Sequence, residues 1–149
     1  MTMARRAMAG LAGMAMALAA GAAFAQHETP TALITAIYEP LLAGEWHEDE
    51  MAFFSAETRA EWQALLDEDP SGLGFSPLVD GQDAELADFA ILAESGSAQR
   101  AQVAVSFTNF GAPRMLVFAL VPEDGGWRVD DISGTNEDGE WQLSELLNP

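Results

Sequence analysis

Residues 100–133 read "RAQVAVSFTNFGAPRMLVFALVPEDGGWRVDDIS", and their reading decides the fold. The first part alternates, with Ala101, Val103, Val105 and Phe107 on one side. Alternation at period 2 is the mark of a half-buried strand. "RMLVFALV" is apolar on both sides, as a central or doubly covered strand would be. "GWRVDDIS" is the next strand. Upstream, "ELADFAILAES" (85–95) also alternates, with Ala87, Phe89, Ile91 and Ala93 on one side. The links "GSA", "FGAP" and "PEDGG" are short and built of turn residues. Consecutive strands therefore pair as antiparallel hairpins, in a four-stranded meander.

Turn positions set a register. A turn on Gly111 puts Val105 opposite Val117. A turn near Asp124 puts Val117 opposite Asp131 and Val121 opposite Trp127. A turn near Ser97 puts Phe89 opposite Val105. One face then collects Ile91, Val103, Phe107, Met115 and Val129 with these residues, and becomes the core. Asp131 falls on it, while Asp130 falls on the other beside Arg128. A β-bulge at "DDI" reverses this and turns Asp131 outward, and the pattern alone does not choose between the two. The opposite face gathers Leu116, Phe118, Leu120 and Ile132 with Arg100, Arg114 and Arg128. Such a patch needs a cover. The C-terminal 141–147 segment supplies one, and a homodimer partner across this outer face supplies another.

Two helices precede the sheet. In "TPTALITAIYEPLLAGE" (29–45), Thr29 is the N-cap and Pro30 suits the first helical position. Leu33, Ile34, Ile37 and Leu41 form its apolar stripe, with Tyr38 beside it. Pro40 is expected to kink or end the helix and Gly44 to stop it. In "FFSAETRAEWQALLDED" (53–69), Ser55 is the N-cap, and Trp62, Leu65 and Leu66 face inward. "EWHEDE" (45–50) reads as a solvated loop, and "PSGLGFSPLVDGQD" (70–83) as a Gly- and Pro-rich one. The fold class is α+β: two N-terminal helices packed on a curved four-stranded antiparallel sheet, with a short C-terminal docking segment.

Residues 1–25 have the pattern of a signal peptide. Arg5 and Arg6 precede an apolar run that ends in "AFA". Cleavage after Ala25 leaves a single domain, 26–149, in the periplasm or secreted. A retained anchor is the competing reading, because the apolar run is just long enough to span a bilayer. The chain has no cysteine, so packing alone must stabilise it outside the cell. His27 and His47 are its only histidines, too few for a structural zinc site. No cofactor is implied.

Charge is lopsided: 24 acidic against 6 basic residues, for a net −18. The cations beyond the leader are Arg59, Arg100, Arg114 and Arg128. Such a chain repels nucleic acid and anionic membranes, and admits cations, basic proteins or neutral small molecules as partners. Solubility alone explains the same charge. "DEDPSG" (67–72) matches the opening of a calcium loop, but the twelfth position, which needs Glu, is Leu78. A helix end followed by a turn accounts for those residues.

The chain resembles the NTF2-like superfamily, and within it the exported bacterial DUF3828 family. The resemblance rests on "AIYEPLL" (36–42), "FFSAETRAEW" (53–62), "GFSPLVDGQD" (74–83) and "GWRVDDI" (126–132). It implies helices closing a curved sheet into a cone, and no assigned reaction. Ser76 stands where that family favours Asp. The first functional reading is a non-enzymatic binding or interaction domain with a small apolar pocket. Its ligand-contacting residues would be Tyr38, Trp127 and Asp131, with Gln82 and Asp83 at the rim. The alternative is an isomerase- or dehydratase-type enzyme, with an inward carboxylate as base and Tyr38 as hydrogen-bond donor. It requires Tyr38 and Asp131 to converge on one cavity.

Mass spectrometry of exported protein should find a chain beginning at Gln26, partly as pyroglutamate. An intact N-terminus in a membrane fraction would instead establish the anchor.

Overall fold

The computed structural model describes residues 26–149; the leader read at 1–25 lies outside the described residues. Among the described residues no helix is long and apolar enough to cross a membrane.

Helix α1 spans Pro30–Leu42. The Thr29 side chain accepts from Ala32 N at 3.0 Å, and Pro30 takes a first-turn place where a missing N–H costs nothing. Pro40 does not end the helix, which runs two residues further. The helix closes through Ala43 and Gly44, the latter at φ +83°. Leu33, Ile34, Ile37, Tyr38 and Leu41 are buried. A 3-10 turn, Glu50–Phe53, follows, begun by the Asp49 carboxylate accepting from Met51 N at 3.1 Å. Helix α2 spans Ala56–Glu68, with Ser55 Oγ as its N-cap acceptor. It buries Trp62, while Leu65 and Leu66 pack against the core only in part.

The sheet has five strands in the order β1-β2-β3-β4-β5, all antiparallel: Leu86–Gly96, Ala101–Asn109, Ala112–Glu123, Gly126–Asn136 and Gly139–Gln142. The fifth strand corrects the four-stranded expectation. Residues 137–138 make a two-residue turn between Asn136 and Gly139, so part of the C-terminal segment returns along β4. A short helix α3, Leu143–Leu147, then places Leu143 and Leu147 in the core.

The register also differs by one. The β2–β3 turn is Phe110-Gly111, both at positive φ (+50° and +79°), and Asn109 pairs with Ala112. Its axis lies between two residues rather than on Gly111. Val105 therefore meets Leu116, not Val117. Because side chains alternate, that single step exchanges the faces of β3. Leu116, Phe118 and Leu120 are core residues, and Met115 is 46% exposed. On β1, Ile91 rather than Phe89 pairs with Val105, with register shifts on both sides of Ala90-Ile91. Phe89 still reaches inward onto Tyr38, ring centroids 4.6 Å apart.

On β4 a bulge absorbs Asp130. Leu120 pairs with Val129, Ala119 with Asp131 and Phe118 with Ile132. Val129 and Ile132 both point into the core and are fully buried, which strict alternation forbids for residues three apart. Asp131 shares the outward face with Ala119. The inward reading of Asp131, and its pairing with Val117, are thereby corrected. Trp127 pairs with Pro122 rather than Val121.

The apolar patch expected outside the sheet does not exist in that form. Leu116, Phe118, Leu120 and Ile132, on which a cover or second copy was to rest, lie in the core. The outward side chains of the central strands are smaller, among them Ala104, Val117 and Ala119. At the C-terminal end Trp141 packs on Gly134, where any Cβ would collide with the indole.

Candidate functional site

The paired carboxylates occur where two helix starts meet the bulged strand. Ser55 Oγ lies 2.9 Å from Asp130 Oδ1, and Thr58 Oγ1 donates to the Asp130 carbonyl at 2.7 Å. Ser55 N donates to the Val129 carbonyl at 2.8 Å. Asp131 serves α3, whose own N-cap Gln142 makes no side-chain cap bond. Asp131 Oδ1 accepts from Ile132 N and Ser144 N, both at 2.9 Å. Its Oδ2 accepts from Gln142 Nε2 at 2.6 Å and Ser144 Oγ at 2.8 Å. The Asp131 carboxylate thus acts as a capping acceptor supplied from another element.

Tyr38 is equally committed. Its hydroxyl donates to the Leu78 carbonyl at 2.7 Å, and its ring contacts Phe89, Phe107 and Phe118. Burial, and secondarily the nearby Asp80 charge, push the phenol well above its ordinary value. Trp127 is half-buried against the core, and its backbone N–H donates to the His27 carbonyl at 2.9 Å. Asp83 gives its carbonyl to Asn109 Nδ2 at 2.9 Å. Tyr38, Trp127 and Asp131 line neither the cleft nor the groove described next, and of the five residues only Gln82 lines the cleft.

That cleft holds about 550 Å³ between the 3-10 turn, α2 and the 71–82 loop. Trp46, Trp62 and Phe75 are its aromatic members, and His47, Glu50, Ser76 and Gln82 its main polar ones. The loop reaches its shape through Gly72 and Gly74, both at positive φ, and through a bridge between Ser76 and Gly81. Ser76 Oγ donates to Glu50 Oε2 at 2.7 Å. Burial raises the Glu50 carboxyl above its usual 4.5, the Ser76 hydrogen bond and His47 opposing this and Asp49 adding to it. His47 Nε2 lies 2.7 Å from the Ile37 carbonyl, which assigns the proton to that nitrogen and leaves Nδ1 as the acceptor in the neutral ring. A shifted acid in a cleft with an imidazole is the kind of arrangement that functional sites build.

A second space, a groove of about 590 Å³, runs over the outer sheet face past Ser106, Thr108, Met115 and Thr135. Its cation is already engaged: Arg114 pairs with Glu137 at 2.7 Å and Asp80 at 3.6 Å. Its remaining polar groups, the Asp88 carboxylate and the Ser106 and Thr135 hydroxyls, are joined by no aromatic ring other than Phe107.

At the calcium-like stretch, Asp69 is the C-cap residue of α2 and accepts from Ser71 N and Oγ at 3.0 and 2.7 Å. Among the described residues no group of three or more His, Cys, Asp or Glu side chains could hold a metal ion.

Glu50, His47, Trp46 and Ser76 escaped the sequence reading. "EWHEDE" has the composition of a solvated loop, and Glu50 meets Ser76 only through the tertiary fold. The one available signal was an indole and an imidazole placed inside an acidic run. No family model, curated protein or solved structure matches the chain.

Asp131→Asn should destabilise the domain by roughly 1–3 kcal/mol, because four donors lose a full carboxylate. Asp130→Asn keeps an Oδ1 acceptor and only weakens its one side-chain bond, from Ser55 Oγ, so it should cost less, about 0.5–1.5 kcal/mol. Paired urea midpoints at neutral pH measure both. Glu50 should respond in the opposite sense. A carboxyl raised in the folded state gives its full stabilisation below the ordinary 4.5 and loses it as pH climbs through the raised value. Glu50→Gln should therefore be more stable than the wild type at neutral pH, with the gap closing on acidification. Thermal melts across that pH range check the sign.

Proposed function

We propose that this chain is an exported, non-enzymatic binding domain of NTF2-like layout, whose ligand seat is the Glu50–Ser76 cleft. The observation that carries the reading is the cleft's make-up. Three aromatic side chains meet a half-buried carboxylate, a hydroxyl and an amide in a space sized for a small molecule. Two sets of hydrogen bonds support rigidity of the seat. The loop that forms one wall is tied to the core by the Tyr38–Leu78 bond and by Asn109, which donates to Val79 and Asp83 carbonyls at 3.2 and 2.9 Å. A wall fixed in advance spares the ligand the cost of ordering it.

The enzyme reading rested on Asp131 and Tyr38 acting together. Both are spent on structural hydrogen bonds in different parts of the fold. Helices followed by an antiparallel meander support the NTF2-like layout, and the 1–25 pattern supports export.

The reading is tested by a small-molecule fragment screen followed by NMR. Ligands should perturb the Trp46 and Trp62 indoles and the Gln82 amide. Trp46→Ala should weaken them by about tenfold or more without lowering the melting temperature, since this ring is 50% exposed. Fragments that settle only in the outer groove around Met115 would move the site there and defeat the proposal.

A further inference from the structure

Resting on that reading of the cleft, we infer that its ligand is a small organic cation of the quaternary-ammonium class, held by aromatic faces and the Glu50 carboxylate. Three independent features of the cleft converge on this chemistry. Of its aromatic lining, Trp46 is 50% exposed and Phe75 half-buried, and they bring π-surface that attracts a diffuse positive charge, while Trp62 backs the wall from the core. Glu50 supplies a formal countercharge at the same place, and its side chain accepts from an uncharged hydroxyl, Ser76 Oγ. No arginine or lysine lines the cleft, and His47, held through Nε2 by the Ile37 carbonyl, is the one wall side chain that can set positive charge beside Glu50.

The surroundings act in the same direction. The chain carries a net charge of −18, and Glu45, Glu48 and Asp49 flank the cleft residues in sequence. Such a field concentrates cations and speeds their approach, while it opposes anionic ligands. A weakly hydrated ammonium suits the cleft better than a metal ion, since it gains from indole contact and does not demand several oxygen ligands.

Titration supports the same picture. Burial disfavours the charged form of Glu50, whose facing groups are His47, Asp49 and Ser76. A bound cation would favour that form, so binding should release protons at mildly acidic pH and weaken as Glu50 becomes protonated.

The decisive probes are choline, its uncharged isostere 3,3-dimethylbutan-1-ol, and cellobiose, each titrated by calorimetry and NMR. Choline should bind with shifts at Trp46 and Gln82, and the isostere should bind about tenfold more weakly or worse. Glu50→Gln should cost choline a similar factor and leave the isostere unaffected. Equal affinity for choline and its isostere, or an unchanged choline affinity in Glu50→Gln, overturns recognition of charge. Shifts reproduced by sodium chloride at the same concentration reduce the effect to the ion atmosphere and overturn it too. Cellobiose binding at the same resonances with choline silent replaces the cation by a saccharide and leaves the cleft as the seat. If fragments bind only elsewhere, the seat itself is refuted along with the cation.

Discussion

The bulge at Asp130 is the constraint on which the rest of the domain depends. A regular strand cannot send Val129 and Ile132 to the same side. The extra residue lets both enter the core, opposite Leu120 and Phe118. It also swings the backbone of 129–130 toward the start of α2, where Ser55 N and Thr58 Oγ1 take up its carbonyls. One residue later, Asp131 gathers the N-terminus of α3. A defect in the ladder thus places two helices. Each capping arrangement is worth about 1 kcal/mol, and each also fixes where its helix meets the sheet. The side-by-side carboxylates are the polar ends of that device.

A second set of bonds fixes the loop between α2 and β1. Tyr38, carried on α1 in the centre of an aromatic cluster, holds the Leu78 carbonyl. Asn109 at the end of β2 holds Val79 and Asp83. Arg114 and Asn136 hold Asp80, a residue at φ +52° that the turn requires. A loop rich in glycine and proline is thereby tied at several points to three strands and a helix. Its Gly72–Ser76 portion gains a defined surface, which is what lets Ser76 stand 2.7 Å from Glu50. Stability in the core and geometry in the cleft are linked through these few hydrogen bonds.

Electrostatics divides the molecule in a related way. Acidic side chains dominate its surface, and the few cations are drawn into specific duties. Arg114 clamps Asp80 and Glu137, and Arg59 donates to the Phe54 carbonyl at 3.1 Å. The 3-10 turn then carries an acid into a partly buried, aromatic setting where burial resists its charge. An otherwise acidic, self-repelling surface acquires at that point a carboxylate whose ionisation would gain from a positive ligand.

The sequence by itself determined the two long helices, four of the five strands and much of their punctuation. Thr29 and Ser55 were legible as caps because a short side-chain oxygen before a helix has one good use. The α1 stripe and the β2 alternation were legible because burial imposes its period on residue type. Face assignment was not, and the reason lies in β3. "RMLVFALV" is apolar on both sides, so the hydrophobic pattern is indifferent to a one-residue slip, and only the positive-φ pair Phe110-Gly111 fixes the parity. The bulge was visible as an alternative but could not be chosen, since its gain appears only when Val129 and Ile132 meet the other strands. β5 was hidden in a segment whose four paired residues are too few to show a period. The cleft was the least legible feature. Glu50 and Ser76 lie 26 positions apart, and no spacing rule links a 3-10 turn to a glycine-rich loop. Their contact exists because both are anchored to the same core, and a core is a property of the packed chain rather than of any stretch of it.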